Sequence, residues 1–472
     1  MSQGFQSKNP TTDAVIWEGT ITSPQMLSKQ IAIAGEALKS WATTPIFDRI
    51  LILERYAKQL REEKASLIPE LSEETGKPLW ESDNEIESAI QKVSISIKAY
   101  EERCKESVIT TGNIRSVVRY KPHGILAVYG PFNFPVHLPN GHIVPALLAG
   151  NCVIFKPSEL TPRIAERMAS VWDMAGLPQG VLQIAQGDAS TGKALAAEPG
   201  LSGILFTGSA SVGLSLHRLM SGDTGKILAL EMGGNNPLII HDLENNSAAC
   251  QQVMISAFIT TGQRCSCARR LIIIDTPENR RFLDLLLEKT KQLVVGSYTD
   301  TPEPFLGPVI SSDASKQIIA RYNTLVSAGG KPLIALKQRD PAWIYPTIID
   351  VSGISSLPDE EIFGPILQVI WVRHFEEAIA VSNRTQFGLS AGIFTTDPEK
   401  HAHFFAHSHA GIVNWNRPLT GANSAAPFGG IGKSGNFRPS AYFAADYCAY
   451  PVASQEAEHL EPLSHPLPGM PL

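Results

Sequence analysis

The chain predicts an α/β protein built on doubly wound parallel sheets, and three observations carry that expectation. Short apolar runs (GILAVYG, CVIFKP, VLQIAQG, GILFTG, KILALE, NPLIIHD) alternate with segments of helical length between about residues 124 and 240, which is the rhythm of repeated βαβ units. Glycines and polar residues punctuate the ends of these runs, where ligands of open parallel sheets collect. At 472 residues the chain exceeds what one hydrophobic core normally supports, so two or three domains are expected.

The elements follow in order. Ser23-Pro24 reads as the N-cap and first residue of an amphipathic helix ending near Ala42, because serine accepts a free backbone N–H and proline sits where no N–H is needed. Helical patterns continue from Asp48 to a stop at Gly76 and from about Ser82 to Cys104. Residues 107–122 alternate β-branched and polar side chains around Thr111-Gly112-Asn113, the pattern of a hairpin. Within the alternating region, helices are placed at 140–149, 161–176, 189–198 and 211–221. A second α/β unit is expected from about 250 to 440, with helices near 248–262 and 278–293 and strands in RRLIIID, PILQVIWV, SAGIFT and GIVNWN. Residues 446–454 read as another short strand, and the tail after Gln455, rich in Pro and Glu, as a surface segment.

Composition excludes several classes. With 43% hydrophobic and 18% charged residues the chain reads as an ordinary globular protein. A formal net charge of −6, with no run of five basic residues, argues against a broad nucleic-acid surface. The N-terminal MSQGFQSKNPTTD lacks the basic and apolar regions of a secretory signal. The most apolar stretch, Ile143 to Phe155, is short and interrupted by Pro145, Gly150 and Asn151, so no membrane span is expected. Six cysteines are too dilute for a disulfide framework and fit a reducing cytoplasm. Cys265-x-Cys267 lacks the companion ligands that zinc requires, so no metal is expected.

Two Gly-marked segments carry candidate chemistry. Cys265 lies in TTGQRCSCARR and Glu231 in LALEMGGNNP. A thiol among polar, turn-prone residues beside an arginine is expected to be held partly as thiolate, the attacking species. A carboxylate behind a Gly-Gly turn is placed to activate water. The run Gly208-Ser209-Ala210-Ser211-Val212-Gly213 ends a strand and opens a helix, so its backbone N–H groups and helix terminus suit a pyrophosphate.

These motifs occur with Asn133 in GPFNFP, Lys156-Pro157-Ser158-Glu159, EIFGP (361–365) and PFGG (427–430). In that order the chain resembles the aldehyde dehydrogenases over roughly residues 9 to 454. The resemblance implies a fold of two doubly wound parallel-sheet domains plus a β-hairpin oligomerisation arm. It divides the chain into a dinucleotide-binding domain (1–105 and 123–233), the hairpin (106–122), a catalytic domain (234–440), and an oligomerisation strand with the C-terminal tail (441–472). It implies that Cys265 attacks the aldehyde, that Asn133 and the Cys265 N–H hold the oxyanion, and that Glu231 activates the hydrolytic water. Residues 208–213 would lie near the cofactor phosphates, Lys156 and Glu159 would hold the adenosine ribose, and Glu361 the nicotinamide ribose with Phe363 beside the ring. A carboxylate at Glu159 would repel a 2′-phosphate, which favours NAD over NADP. Phe134 and Phe428 match aromatic positions of the aldehyde tunnel, and the matching arm implies a homodimer or homotetramer.

Finer details, HLPNGHIVPALLAGN (137–151), Cys-Ser-Cys-Ala-Arg-Arg (265–270), residues 414–422 and the Pro-rich tail, are similar to the branch acting on N-succinyl-L-glutamate 5-semialdehyde in bacterial arginine catabolism. Such a substrate carries two carboxylates, for which Arg417 and Asn416 are the candidates. Another ω-semialdehyde, or a non-catalytic relative keeping the fold, are the alternatives. Only seven residues precede Lys8, fewer than relatives usually carry before the matching segment.

Overall fold

The computed structural model describes residues 4–460 and, beyond them, 462, 465 and 467–470. Five strands form a parallel sheet in the order Leu182–Ile184, Cys152–Lys156, Ile125–Tyr129, Gly203–Gly208, Ile227–Met232. The three central strands are apolar along their length and almost wholly buried, as strands covered on both faces must be. The chain moves outward from Ile125–Tyr129 to one side and then returns to build the other. That reversal opens a crevice at the carboxyl ends of the strands, where Gly130, Lys156, Gly208 and Glu231 lie.

The second sheet has seven strands in the order Lys331–Ile334, Thr347–Asp350, Ile366–Val372, Ala268–Ile274, Asn236–Ile240, Ser390–Phe394, Ile412–Trp415. All pairs are parallel except the first, so an antiparallel edge strand closes one side of the expected parallel sheet. Separate apolar clusters pack around it, while one continuous cluster serves the first sheet and its helices. Strand Ile227–Met232 of the first sheet runs through Gly233-Gly234-Asn235 directly into Asn236–Ile240 of the second. Glu231 therefore sits at the junction of the two sheets.

Capping logic holds at the first helix, Pro24–Trp41, where Ser23 accepts from the Met26 N–H. The pattern from Asp48 to Gly76 is two helices, Ile46–Glu62 and Lys64–Thr75, which meet at Glu63. Gly76 ends the second in the left-handed conformation at φ 76, as expected of a glycine stop. Helix Leu79–Arg103 begins earlier than Ser82 because Pro78 starts it. Helix His137–Ala149 likewise starts ahead of residue 140, since Pro139 falls in the first turn where no helical N–H is needed.

The hairpin is present as Ser107–Thr111 paired with Ile114–Pro122, with Gly112 at φ 62 in the two-residue turn. Its long strand also pairs with Ala449–Glu456 of the same chain, giving a three-stranded sheet. Residues 446–448, expected as strand, belong instead to the short helix Ala444–Cys448. Burial of Tyr447 and Cys448 and the Arg103–Asp446 ion pair hold that turn, and alternation begins only at Ala449. Gln455 is still within the strand; of the tail after it, residues 461, 463, 464, 466, 471 and 472 lie outside the described residues. The N-terminus forms its own antiparallel ribbon, Gly4–Lys8 with Val15–Thr20. Among the described residues no helix is long and apolar enough to cross a membrane.

Candidate active site

A cleft of about 990 Å³ runs between the carboxyl ends of the first sheet and the second sheet. Cys265, Glu231 and Asn133 all line it, together with Glu361, Phe363 and Phe428.

The segment before Cys265 is the most constrained backbone of the chain. Thr260 and Thr261 adopt left-handed conformations at φ 55 and 52, followed by Gly262 at φ 70. Left-handed backbone costs a non-glycine residue of order 1–3 kcal/mol, so surrounding contacts must hold it. They are present: Thr260 Oγ1 donates to Glu81, Thr261 Oγ1 donates to the Gly307 carbonyl, and Gln263 Oε1 accepts from the Ile310 N–H. A Cβ at Gly262 would stand 2.1 Å from the Gly364 carbonyl oxygen, so this position excludes any other residue. The fully buried Arg269 guanidinium donates to the carbonyls of Gly262 and Arg264 and pairs with Glu361 at 3.1 Å. From the far side, Asn236 donates to the carbonyls of Cys265 and Cys267. The nucleophile is thus held from three directions.

Asn133 gives one amide N–H to the Gln263 carbonyl at 2.8 Å. This fixes its plane and leaves a second N–H for an oxyanion. Glu231 accepts from the Ser440 N–H at 3.2 Å through one oxygen, while its other oxygen is buried without a partner. The PFGG segment owes its glycines to this carboxylate and to its own turn. A Cβ at Gly429 would meet Pro439 at 2.7 Å and Glu231 Oε1 at 3.0 Å, and one at Gly430 would meet Ser434 at 2.3 Å.

Burial dominates the electrostatics. It raises the Glu231 carboxyl well above its ordinary range and also raises Glu361, against the pull of Arg269. The Cys265 thiol is pushed up to about 12, first by burial and then by the neighbouring Glu361 and Glu231, with Arg269 opposing. Burial and the two carboxylates thus work against the expected partial thiolate, because the nearby positive charge of Arg269 is paired with Glu361.

The remaining expected residues divide in two. Gly208 ends its strand, Ser209 caps helix Ala210–Met220 by accepting from the Val212 N–H, and Ala210, Ser211 and Val212 open the first turn along the cleft. Gly213 packs behind them, where a Cβ would lie 2.3 Å from Met232 Sδ. Lys156 and Glu159 line the same end of the cleft 3.7 Å apart, Lys156 nearly buried and Glu159 half-exposed. Gly233 admits Glu361, whose Oε2 would lie 1.8 Å from a Cβ there. A helix terminus, the Lys156–Glu159 pair and the partly buried Glu361 beside Phe363 fit a dinucleotide laid along the cleft.

Asn416, by contrast, spends its amide on the Thr395 backbone, accepting from its N–H and donating to its carbonyl. Its left-handed φ of 51 needs that clamp, which corrects the expectation that it contacts substrate. Arg417 is exposed and is not among the residues lining the cleft. Phe134 is half-buried beside the cleft, its ring 4.2 Å from Lys77 Nζ and 4.8 Å from the Arg264 guanidinium. Sequence reasoning missed Arg269, although an arginine inside the apolar strand ARRLIII was a visible signal; it also missed Thr260 and Thr261, for which no signal exists.

The chain matches the aldehyde dehydrogenase family over residues 1–450. It belongs to that family. It is 48% identical over 470 residues to the N-succinylglutamate 5-semialdehyde dehydrogenase of Hahella chejuensis, covering 99% of this chain and 96% of the relative. The enzyme of the same name from Ectopseudomonas mendocina is 49% identical with the same coverage. Among solved structures, the glyceraldehyde-3-phosphate dehydrogenase of Methanocaldococcus jannaschii complexed with NADP superposes with a TM-score of 0.90 at 26% identity, covering 97% of this chain and all of that one. The protein is an aldehyde dehydrogenase.

With the thiol pushed up to about 12, alkylation of Cys265 by iodoacetamide in the cofactor-free enzyme is expected to be slow at pH 7 and to quicken as pH rises to 10, up to about tenfold per unit. Mass-spectrometric mapping of the labelled peptide against pH measures this. A rate already at its plateau at pH 7 would show a resting thiolate instead.

Proposed function

We propose that this enzyme oxidises N-succinyl-L-glutamate 5-semialdehyde to N-succinyl-L-glutamate with NAD and water, through a thioester on Cys265, in arginine catabolism in the cytoplasm. The observation that carries the reading is near-half identity, over almost the whole chain, to two enzymes bearing that substrate in their names. The convergence of Cys265, Asn133 and Glu231 on one cleft supports the chemistry.

In this reading Cys265 Sγ attacks the aldehyde carbon, the carbonyl electron pair moving onto its oxygen, and the thiol proton passes to solvent water in the open cleft as the bond forms, which a thiol held near 12 requires. The second N–H of Asn133 and the Cys265 N–H hold the developing oxyanion, each donor contributing about 10²–10³ in rate. NAD, when bound, accepts the hydride. Glu231, whose raised affinity for protons suits a general base, removes a proton from the water that attacks the thioester, and the acid and the free thiol result. Lys156 and Glu159 would hold the adenosine ribose.

Replacing Glu231 by Gln is expected to preserve a burst of about one NADH per site and to lower steady-state turnover by about 10²-fold or more, read by stopped-flow absorbance. Loss of burst and turnover together would mean that Glu231 acts before hydride transfer. Cys265→Ala abolishes both, whereas Cys267→Ala, whose thiol is turned to the Ile259 carbonyl, keeps most activity.

Cofactor preference is a second expected outcome. The Glu159 carboxylate favours NAD over NADP by at least about tenfold in kcat/KM, or about 1.4 kcal/mol, and Glu159→Gln narrows the gap. Parallel initial-rate measurements decide it, and a wild-type preference for NADP would reverse the role given to Glu159.

We further propose a homodimer, or a tetramer of dimers, formed through the three-stranded sheet. Its edge strand Ser107–Thr111 is exposed throughout, with Val108 and Ile109 at 45% and 69% exposure, and an unpaired edge of this kind invites a second chain. Light scattering across a dilution series should give at least twice 51.2 kDa; a monomer at micromolar concentration overturns the assembly.

A further inference from the structure

Behind the cleft, helix His137–Ala149 carries a buried histidine that the chemistry described above does not use. His142 is 2% exposed, and both of its ring nitrogens are engaged: Nδ1 lies 2.8 Å from the Tyr447 hydroxyl and Nε2 lies 2.9 Å from Thr207 Oγ1. Tyr447 is buried in the short helix Ala444–Cys448. Thr207 is half-buried and lines the cleft. A hydrogen-bonded chain of three side chains, remote from one another in sequence, thus ends at the wall of the active site.

Donor counting fixes the direction of that chain. Among the described residues the Tyr447 hydroxyl has no other hydrogen-bond partner, and burial makes it hold its proton well above the ordinary phenol range. Burial, and then the charge of Lys92, push the His142 imidazole down to about 3, so the ring is neutral and carries one N–H. Were that hydrogen on Nδ1, the buried Tyr447 proton would have no acceptor and the donor would be desolvated without compensation. Tyr447 therefore donates to Nδ1, and Nε2–H donates to Thr207 Oγ1. The Thr207 hydroxyl keeps a proton that, among the described residues, no protein group receives. The sheet aims it. Thr207 is the register partner of Glu231 on the adjacent parallel strand, so both side chains leave the same face from backbones about 5 Å apart. On that face Glu231 Oε2 is buried without a partner, so Thr207 does not reach it directly. A donor and an acceptor placed in this way are bridged by water.

We propose that Thr207, its hydroxyl proton aimed by His142 and Tyr447, seats the water that Glu231 activates against the thioester. The inference rests on the hydrolytic role given to Glu231 above. The water forms its bond to the thioester carbon with one lone pair, accepts the Thr207 O–H with the other, and gives a proton to Glu231. The carbon–sulfur bond then breaks with its electron pair on Cys265 Sγ, which takes the proton back from Glu231, and the second water proton leaves with the acid. Thr207 touches the reacting water, whereas His142 and Tyr447 are positioning residues. A neutral imidazole holds Thr207 without placing a cation beside the base, which would lower the affinity of Glu231 for protons.

The test is stopped-flow NADH formation in Thr207→Val, which keeps the shape and removes the hydroxyl, and in Thr207→Ser, with NADH binding followed by its fluorescence. The substrate is N-succinylglutamate semialdehyde, or the aldehyde oxidised fastest if that is another. Thr207→Val is expected to keep a burst of about one NADH per site, to lose at least about tenfold in steady-state turnover, and to bind NADH within about threefold of wild type. Thr207→Ser recovers most of the turnover. Tyr447→Phe, which leaves the ring in place, keeps the burst with a smaller loss. A readout independent of turnover is the nitrogen-15 spectrum of the histidines. There the His142 resonances, identified by their loss in His142→Gln, should be those of the neutral Nε2–H form from about pH 6 to 9. Unchanged turnover in Thr207→Val, a loss carried by NADH affinity, a burst that falls with turnover, or a His142 with its proton on Nδ1 overturns the proposal. If Glu231→Gln loses its burst, the reading of Glu231 fails, and the role of Thr207 falls with it only when Thr207→Val loses its burst too.

Discussion

The buried guanidinium of Arg269 is the contact on which the rest of the site depends. It sits in the strand Ala268–Ile274, three residues past the Cys265–Ser266 turn, and reaches back to the carbonyls of Gly262 and Arg264 while pairing with Glu361. One rigid, planar cation thereby joins the nucleophile loop to the carboxylate on the cofactor side of the cleft. Left-handed backbone at Thr260 and Thr261 persists because this clamp and the Thr hydroxyl bonds to Glu81 and Gly307 hold both ends. Removing the cation would take the donor from the buried Gly262 and Arg264 carbonyls and the ion-pair partner from Glu361, a larger penalty than the loss of one surface ion pair.

That clamp also explains the electrostatic state of the site. Arg269 is the positive charge that opposes the rise of Cys265, yet it is paired with Glu361, and Glu231 adds to the negative field. Desolvation is the largest influence on both groups, and it raises the thiol and the carboxyl alike. A site of this kind keeps its nucleophile quiet in the absence of substrate.

The junction between the two sheets supplies the geometry. Glu231 ends the last strand of one sheet and Asn236 begins a central strand of the other, with two glycines between them that leave space for Glu361 and Asn236. General base, cofactor carboxylate and nucleophile loop are in this way referred to one short stretch of backbone. Two separately packed cores meet there, so the cleft forms where neither core extends.

Much of this was legible in the residues themselves. Alternating apolar runs and helical segments determined the two wound sheets, since strand burial and helix amphipathicity are local patterns. Serine, proline and glycine at helix ends determined Pro24–Trp41 and the stop at Gly76, because capping uses neighbouring backbone groups. Motif order marked Cys265, Glu231, Asn133 and the 208–213 turn as candidates for one site. Local pattern misled at 446–448, where burial of Tyr447 and Cys448 overrides the strand propensity, and at Asn416, whose amide serves its neighbour strand. Only the tertiary structure decided the surroundings that raise the Cys265 thiol, the reach of Arg269 and the left-handed threonines. Each depends on the distance and dielectric between groups remote in sequence, such as Glu81 with Arg264 and Glu85 with His137, and a linear pattern of residues carries neither quantity.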